Sequence, residues 1–359
     1  LTLKIMAETL APYLAALFSR FIKTGFTPSQ WHRTEIILLH KKGSRCDLNN
    51  YRPISLTSNL SKIFCKLIKN RIYNTLDSHQ PIDQAGFRKN FSTIDHIFTL
   101  NQILEKSREY NMPLCLMFID FNKAFDSVKH YAVWEALTNQ GVGREVVEVL
   151  KNMYRSSKAY VKLDKEGEEF KVQKGVKQGD PLSPNLFNAV LEGIFRNLNW
   201  EGKGLKINGQ FLNNLRFADD IVLISNGMNE LKEMSEELCR ESKKVGLTVN
   251  FAKSKIMSNI GGCFELEGKV VEKVSEYCYL GQTVAFNDRG KLELRARTTK
   301  AWRNFWAQKH ILKSKLALAI KMKIWEQCVV PSLTYGAQTW SLTKGMTNNL
   351  RDAKKHYEY

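Results

Sequence analysis

Arg216-Phe217-Ala218-Asp219-Asp220-Ile221-Val222-Leu223-Ile224 sets two adjacent acids between apolar flanks. The aliphatic run from Ile221 to Ile224 has the length and composition of a buried strand. Acids at the mouth of such a strand are costly to bury unless something cationic meets them. Taken alone, the pair also suits an ordinary hairpin turn, where Asp is frequent. A second site upstream changes the balance. Leu114-Cys115-Leu116-Met117-Phe118-Ile119-Asp120-Phe121 is again an apolar run, carrying one acid at its C-terminal end. Two buried strands that each deliver carboxylate to a tip suit Mg²⁺, a hard cation typically held by one or two carboxylates together with substrate phosphates. Two such ions ~3.5–4 Å apart clamp the attacking and leaving oxygens of an in-line phosphoryl displacement. Between the strands lies Gly175-Val176-Lys177-Gln178-Gly179-Asp180-Pro181-Leu182-Ser183-Pro184. Its glycines allow close backbone approach to a ligand, and its prolines suit the opening of a helix.

In chain order, Phe-Ile-Asp-Phe-x-Lys-Ala-Phe-Asp (118–126), Gly-Val-x-Gln-Gly-Asp-Pro-Leu-Ser-Pro (175–184) and Phe-Ala-Asp-Asp (217–220) resemble motifs A, B and C of reverse transcriptases. The wording is similar to that of non-LTR (LINE-type) retrotransposons, which are endonuclease–reverse transcriptase polyproteins. Each block alone is a weak signal, whereas three in this order are specific. The resemblance runs from about residue 30 to 345 and implies RNA-directed DNA polymerase activity. It makes Asp120 and Asp219 ligands of two Mg²⁺ ions (Mn²⁺ as the alternative), with Asp220 supporting them. It places Lys41, or its neighbour Lys42, and Arg52 of Arg52-Pro53-Ile54 on the incoming triphosphate. That agrees with the forked donor set of Arg and the mobile point charge of Lys. It makes Phe125 a steric gate beneath the sugar, puts Gln178 beside the nucleotide's base and sugar, and lets the backbone pass under it at Gly179. Phe251-Ala252-Lys253-Ser254-Lys255 resembles motif D, which makes Lys253, or Lys255 on the same face of an extended segment, the proton donor to pyrophosphate. Tyr277-Cys278-Tyr279-Leu280-Gly281 resembles the primer grip, motif E. RNA template, DNA primer and dNTPs are the implied partners, with no small-molecule cofactor. An upstream endonuclease domain is expected in a longer polypeptide, and an intracellular location in cytoplasm and nucleus.

Composition points the same way. The chain has 359 residues, 43% of them hydrophobic, with a formal net charge of +18 and a pI near 9.5. Such a charge favours a polyanionic partner. It is uneven: from position 291 onward 14 Lys and Arg face four Asp and Glu, so +10 of the +18 lies in the last fifth. A solvated helical face would carry charge too, but an acidic site that already asks for phosphate puts nucleic acid first. The seven cysteines are odd in number and include no Cys-x-x-Cys pair, which predicts reduced, mostly buried thiols and no zinc site. No apolar run reaches the length of a membrane span.

Further expectations follow along the chain. Residues 1–30 read as a helix, 36–39 as a strand, 54–76 as a long helix with a basic face, and 93–106 as an amphipathic helix. Gln84-Ala85-Gly86-Phe87-Arg88-Lys89 resembles a further block of the family, in which Gly86 permits a tight approach and Arg88 and Lys89 meet template phosphates. Asp126 admits two readings. RNA-copying RNA polymerases use a second acid near this point to accept the 2′-OH, whereas an N-cap for a helix from 127 to 137 suits a chain in which bulky Phe125 fills the gate position. Asp180 caps a helix from 181 to 198 rather than binding metal. Residues 160–163 and 170–172 pair as a hairpin, 205–207 and 210–212 flank an Asn-Gly turn, 247–250 form a strand, and 264–271 form a hairpin. The predicted fold is α+β, a right-hand polymerase whose palm is a split-βαβ antiparallel sheet with helices on one face. Its parts are an N-terminal helical extension (1–30), fingers (31–111, with 140–174 inserted), palm (112–139 and 175–260), a primer-grip hairpin (261–285) and a basic helical thumb (286–359). Two other functions compete: a decayed retroelement relic that only binds nucleic acid, and an RNA-dependent RNA polymerase on the same palm.

Overall fold

The structure is a computed structural model and describes residues 5–341, 343–345 and 347–348. Its centre is a four-stranded antiparallel sheet, in the order Lys255–Ser258, Cys115–Ile119, Asp220–Ser225, Asn214–Phe217. The middle strands are buried over Cys115–Ile119 and from Ile221 to Ser225. Because side chains alternate across a strand, such a run must bury both faces. Cys115, Met117, Ile119, Ile221 and Leu223 join the large core beneath the helices Ser183–Arg196 and Met228–Lys244. Leu116, Phe118, Val222 and Ile224 enter a second core with Leu100 and Leu104 of the helix Thr93–Glu109 and with Tyr279 and Val284. The expectation of helices on one face only is therefore corrected. The second face is closed by one helix and by the hairpin Glu276–Tyr279/Gln282–Ala285, whose Tyr277 stacks on Phe118 at 4.1 Å.

A second sheet precedes the first in the chain. Arg33–His40 pairs antiparallel with Tyr51–Leu56 and parallel with Lys158–Val161, which pairs with Phe170–Lys171. Residues 51–56 are thus strand, and the helix read from 54 begins only at Asn59, where the Ser58 hydroxyl accepts the Ser61 N–H. Pro53 is tolerated because Tyr51–Leu56 is an edge strand. The N-terminal helix Ala7–Thr24 is pinned by Phe18 and Phe21 against Trp31 and Phe64. Residues 1–4 of the predicted N-terminal extension lie outside the described residues.

The Asn208-Gly209 hairpin is as predicted, both turn residues having positive φ (50° and 84°). The segment 247–250 is not a strand. It makes one bridge, Phe121 with Val249, and the edge strand of the central sheet is Lys255–Ser258. After 285 the described chain is helical, beginning with Arg289–Ala307. This part is tied to the 276–285 hairpin by buried and half-buried polar contacts. Glu293 accepts from Thr283 N–H at 2.6 Å, Gln282 donates to the Gly336 carbonyl at 2.9 Å, and Tyr335 OH donates to the Leu280 carbonyl at 2.8 Å. Residues 349–359 of the predicted thumb lie outside the described residues. All seven cysteines are free thiols, but only Cys65, Cys115 and Cys239 are buried, fewer than expected. Among the described residues no helix is long and apolar enough to cross a membrane.

Candidate active site

The strand register brings the three acids together. Ile119 pairs with Ile221, so one step further Asp120 comes opposite Asp220. Phe217 pairs with Asp220 across a two-residue turn, Ala218-Asp219, whose first residue has φ +58°. Asp120 is held from the other side: its carbonyl accepts from Asn250 N–H at 2.8 Å and its N–H donates to Ser254 Oγ at 3.2 Å. Electrostatics records the proximity. Asp219 is pushed above the ordinary carboxylate range by burial and then by the Asp120 charge, while Arg52 and Lys41 pull it down. Asp220 is pushed up to about 6 by lost hydration, then by Asp219 and Asp120. Its side chain reaches solvent at the strand mouth, yet protein surrounds it on the remaining sides.

These groups fit a hard cation. All three are carboxylates, they repel one another, and Asp120 Oδ1 is buried without a hydrogen-bond partner. Its nearest cation is Lys253 Nζ, at 3.6 Å. Among the described residues no three acids, imidazoles or thiols close around a point where they alone could hold an ion. An ion here would take its remaining ligands from phosphate and water, as Mg²⁺ does.

A pH effect follows. The folded-state pKa of Asp220 lies near 6, above the ~3.9 of an unfolded Asp. Between those values the folded state binds more protons, so this group's contribution falls as pH rises through about 6. In metal-free protein Asp220→Asn should therefore raise Tm relative to wild type at pH 7, and the difference should shrink by pH 5. Equal differences at both pH values would refute the shift.

The other residues singled out by the sequence are each fixed by their neighbours. Phe125 stacks on Phe187 of the 183–196 helix at 4.8 Å, with Phe87 edge-on at 6.3 Å. The loop 175–182 is moored on both sides: the Gln178 carbonyl accepts from Ser55 N–H at 2.7 Å, and Gly175 N–H donates to Val128 O at 2.7 Å. Gly179 has φ +105°, and a Cβ there would lie 3.1 Å from Ser55 O. Lys41, just after the strand Arg33–His40, and Arg52 are both exposed, and their charges lower the Asp219 pKa against its burial. Lys253 and Lys255 do not share a face, because 251–253 form a turn. Lys255 is engaged by Glu272 at 2.7 Å, which leaves Lys253 at the site.

Three expectations are corrected. Asp126 caps no helix: Lys129 precedes the helix His130–Asn139, and Asp126 accepts from Gln178 Nε2 at 2.8 Å. Asp180 accepts from Leu182 N–H at 2.8 Å, one residue ahead of the helix Ser183–Arg196, so it shapes the entry rather than the cap. Arg88 is not free for template phosphate. It donates to Asp77 at 2.8 Å and to the Pro81 and Gln84 carbonyls, and its head lies over Phe91. Two supports went unread. Gln84 Oε1 accepts from Ala218 N–H at 3.1 Å, and Arg216 pairs with Glu192 at 3.1 Å inside the protein. The second had a visible signal, since an Arg in an apolar strand must find an anion.

A central antiparallel sheet with acids at the tips of its two middle strands, with a second sheet tied to the 175–182 loop through Ser55, defines a right-hand polymerase. Solved telomerase structures from Candida tropicalis agree at the level of fold. The apo enzyme aligns with 92% of this chain and 63% of its own at TM-score 0.54 and 16% identity. A form truncated of its C-terminal domain aligns over 74% of this chain and 55% of that one at TM-score 0.53 and 17% identity. Residues 39–284, more than half of the chain, match the model of the family "Reverse transcriptase (RNA-dependent DNA polymerase)", and the chain belongs to that family. Among similar proteins are a probable RNA-directed DNA polymerase from transposon BS of Drosophila melanogaster, 28% identical over 95% of this chain and 39% of its own. A Pol polyprotein from the type-1 retrotransposable element R2 of Popillia japonica is 26% identical over 92% of this chain and 47% of its own. The RNA-directed DNA polymerase from the Drosophila melanogaster mobile element jockey is 24% identical over 98% and 40%. The chain thus spans less than half the length of these relatives.

Proposed function

We propose that this chain extends a DNA 3′-OH on an RNA template with dNTPs, as the polymerase part of a non-LTR retrotransposon protein. The observation that carries the reading is the strand register that brings Asp120 opposite the Asp219-Asp220 turn, where the Lys41 and Arg52 charges are also felt. Asp120 and Asp219 hold the divalent ions, with Asp220 beside them. Bound Mg²⁺, or Mn²⁺, would lower the pKa of the primer 3′-OH and neutralise triphosphate oxygens. Lys41 and Arg52 bind the triphosphate and orient it in line with the primer. Lys253, exposed and next to Asp120, gives a proton to the departing pyrophosphate. Gln178 and Gly179 line the nucleotide's base and sugar. Positioning and charge neutralisation supply most of the acceleration, because phosphoryl transfer asks little covalent chemistry of a protein.

Fingers at 31–111 and 140–174, palm at 112–139 and 175–260, primer-grip hairpin at 261–285 and thumb from 286 complete the reading. The tie between the 276–285 hairpin and the helices after it, together with the Asp120 and Asp220 charges felt by Tyr277, supports a primer terminus held between them. An endonuclease domain elsewhere in a longer polypeptide, and work in cytoplasm and nucleus, belong to the same proposal. Extension of oligo(dT) on poly(rA) with dTTP tests it. Duplex binding without extension would support a relic instead, and preference for ribonucleotides an RNA polymerase. The second alternative is disfavoured because Asp126 is engaged by Gln178, and because this reading gives the gate to the bulky Phe125.

Two expected results follow. Phe125→Val should lower discrimination against rNTPs by about 10–200-fold, the range that small changes of pocket volume command. Single-nucleotide kcat/KM for dTTP against UTP reads it, and an unchanged ratio removes Phe125 from the sugar. Arg52→Ala should raise the KM for dNTP with a smaller effect on duplex affinity, by about the 1.5–3 kcal/mol of a charge-assisted contact. A selective loss of duplex binding would reassign Arg52 to template or primer.

A further inference from the structure

We propose that Gln84 is a positioning residue that fixes the Asp219-Asp220 turn and thereby sets the rate of the chemical step; this rests on the metal-binding role given to those acids above. Gln84 is fully buried, on a loop far from the motifs in sequence. Its Oε1 accepts two backbone N–H groups, from Gly86 at 2.8 Å and from Ala218 at 3.1 Å. One oxygen therefore joins the 83–88 loop to the residue before Asp219. The loop is docked along the edge strand by Arg216 N–H to Asp83 O at 2.7 Å and Ala85 N–H to Arg216 O at 2.9 Å. It is held from behind by Asn188 Nδ2, which donates to the Gly86 carbonyl at 2.7 Å. The fit leaves no slack: a Cβ at Gly86 would lie 2.2 Å from Ala218 N.

The turn needs such a base. Ala218 is in the left-handed region at φ +58°, which a residue with a Cβ rarely adopts. It is buried, so its N–H must find a partner inside the protein. The two acids that follow repel each other and Asp120, which drives the tip to splay. A continuous brace runs from the 183–196 helix through Asn188, Gly86 and Gln84 to Ala218. Gln84 touches no substrate; it acts through the geometry of the acids.

The test compares Gln84→Met, which keeps length but removes the acceptor, with Gln84→Glu, whose carboxyl, kept neutral by full burial beside other acids, still turns an oxygen to both N–H groups. Hydrogen exchange of the segment 214–222 is read in the whole chain, together with single-nucleotide extension. Gln84→Met should speed exchange at the turn and lower kcat by about 10²-fold, the cost of ~1 Å of misplacement. Dissociation constants for the primer–template and KM for dNTP should stay near wild type, and Gln84→Glu should recover most of the rate. Ile68→Val, a core change remote from the turn, controls for loss of Tm alone. Unchanged exchange, an unchanged kcat, or a kcat loss that Ile68→Val reproduces at equal Tm would overturn the assignment. Wild-type protein that extends no primer would refute the polymerase reading, while the exchange measurement still decides whether Gln84 holds the turn.

Discussion

Asp219→Ala is expected to reduce single-nucleotide incorporation by at least about 10³-fold, beyond the ~10²–10³ that loss of one oxyanion donor costs, while primer–template affinity stays within a few-fold. The reason is positional. Asp219 sits at the tip of the two-residue turn, and the nearby motif acids Asp126 and Asp180 are engaged elsewhere: Asp126 by Gln178, and Asp180 by the Leu182 N–H at the start of the 183–196 helix. Removing the carboxylate also relieves repulsion on Asp220 and Asp120, so the variant should be no less stable than wild type without metal. A catalytic loss with a retained or raised Tm is the signature. Incorporation near the wild-type rate would remove Asp219 from the chemistry, and collapse of both activity and Tm would make it structural. The proposed nucleic-acid binding draws on the excess of Lys and Arg after position 291 rather than on Asp219, so gel-shift affinity and its salt dependence should not change.

Much of this site can be read from the sequence because its signals are local. The two middle strands announce themselves as apolar runs with an acid at one end, and the Asn208-Gly209 hairpin needs only two residues to be read. What escapes is whatever depends on a distant partner. Ile54-Ser55-Leu56 becomes strand because residues 33–40 lie beside it, whereas in the sequence it runs without a break into the apolar pattern of the helix that follows. Residues 247–250 look like a strand but are held as a strap over Asp120 by two backbone hydrogen bonds, and pairing passes to 255–258. Arg88 looks like a ligand for phosphate because its anion, Asp77, comes from the helix before it. Asp126 looks like a cap because Gln178 lies 52 residues on. Side chains that brace a site are harder to read than those that act in it, since their partners are set only by the fold.

Glu192→Leu is expected to destabilise the protein by about 3–5 kcal/mol, the usual cost of leaving one member of a buried ion pair alone. Glu192 accepts from Arg216 Nη1 at 3.1 Å and from Arg196 at 2.9 Å, and both Glu192 and Arg216 are shut away from solvent. Burial already pulls the Arg216 pKa down, and the Glu192 and Asp83 charges oppose that pull. Without Glu192 the guanidinium keeps Asp83 as its remaining anion and the ring of Phe195, over which it lies at 4.0 Å. Those contacts put the loss toward the lower end of the range. Arg216→Met in the same chain should recover most of it, because a pair replaced by apolar groups is often neutral. Urea unfolding of the two single variants and the double variant, at one pH and without metal, reads the cycle. A single-variant loss below about 1 kcal/mol would mean the pair behaves as an exposed one does. Arg216 stands three residues before Asp219 on the strand that feeds the turn, so the same loss should reach the chemistry. In Glu192→Leu the incorporation rate should fall even at temperatures where the protein is fully folded, and the double variant should restore Tm more completely than rate. The guanidinium anchors one end of that strand by charge and stacking, whereas a methionine in its place fills the volume without fixing the direction of the strand.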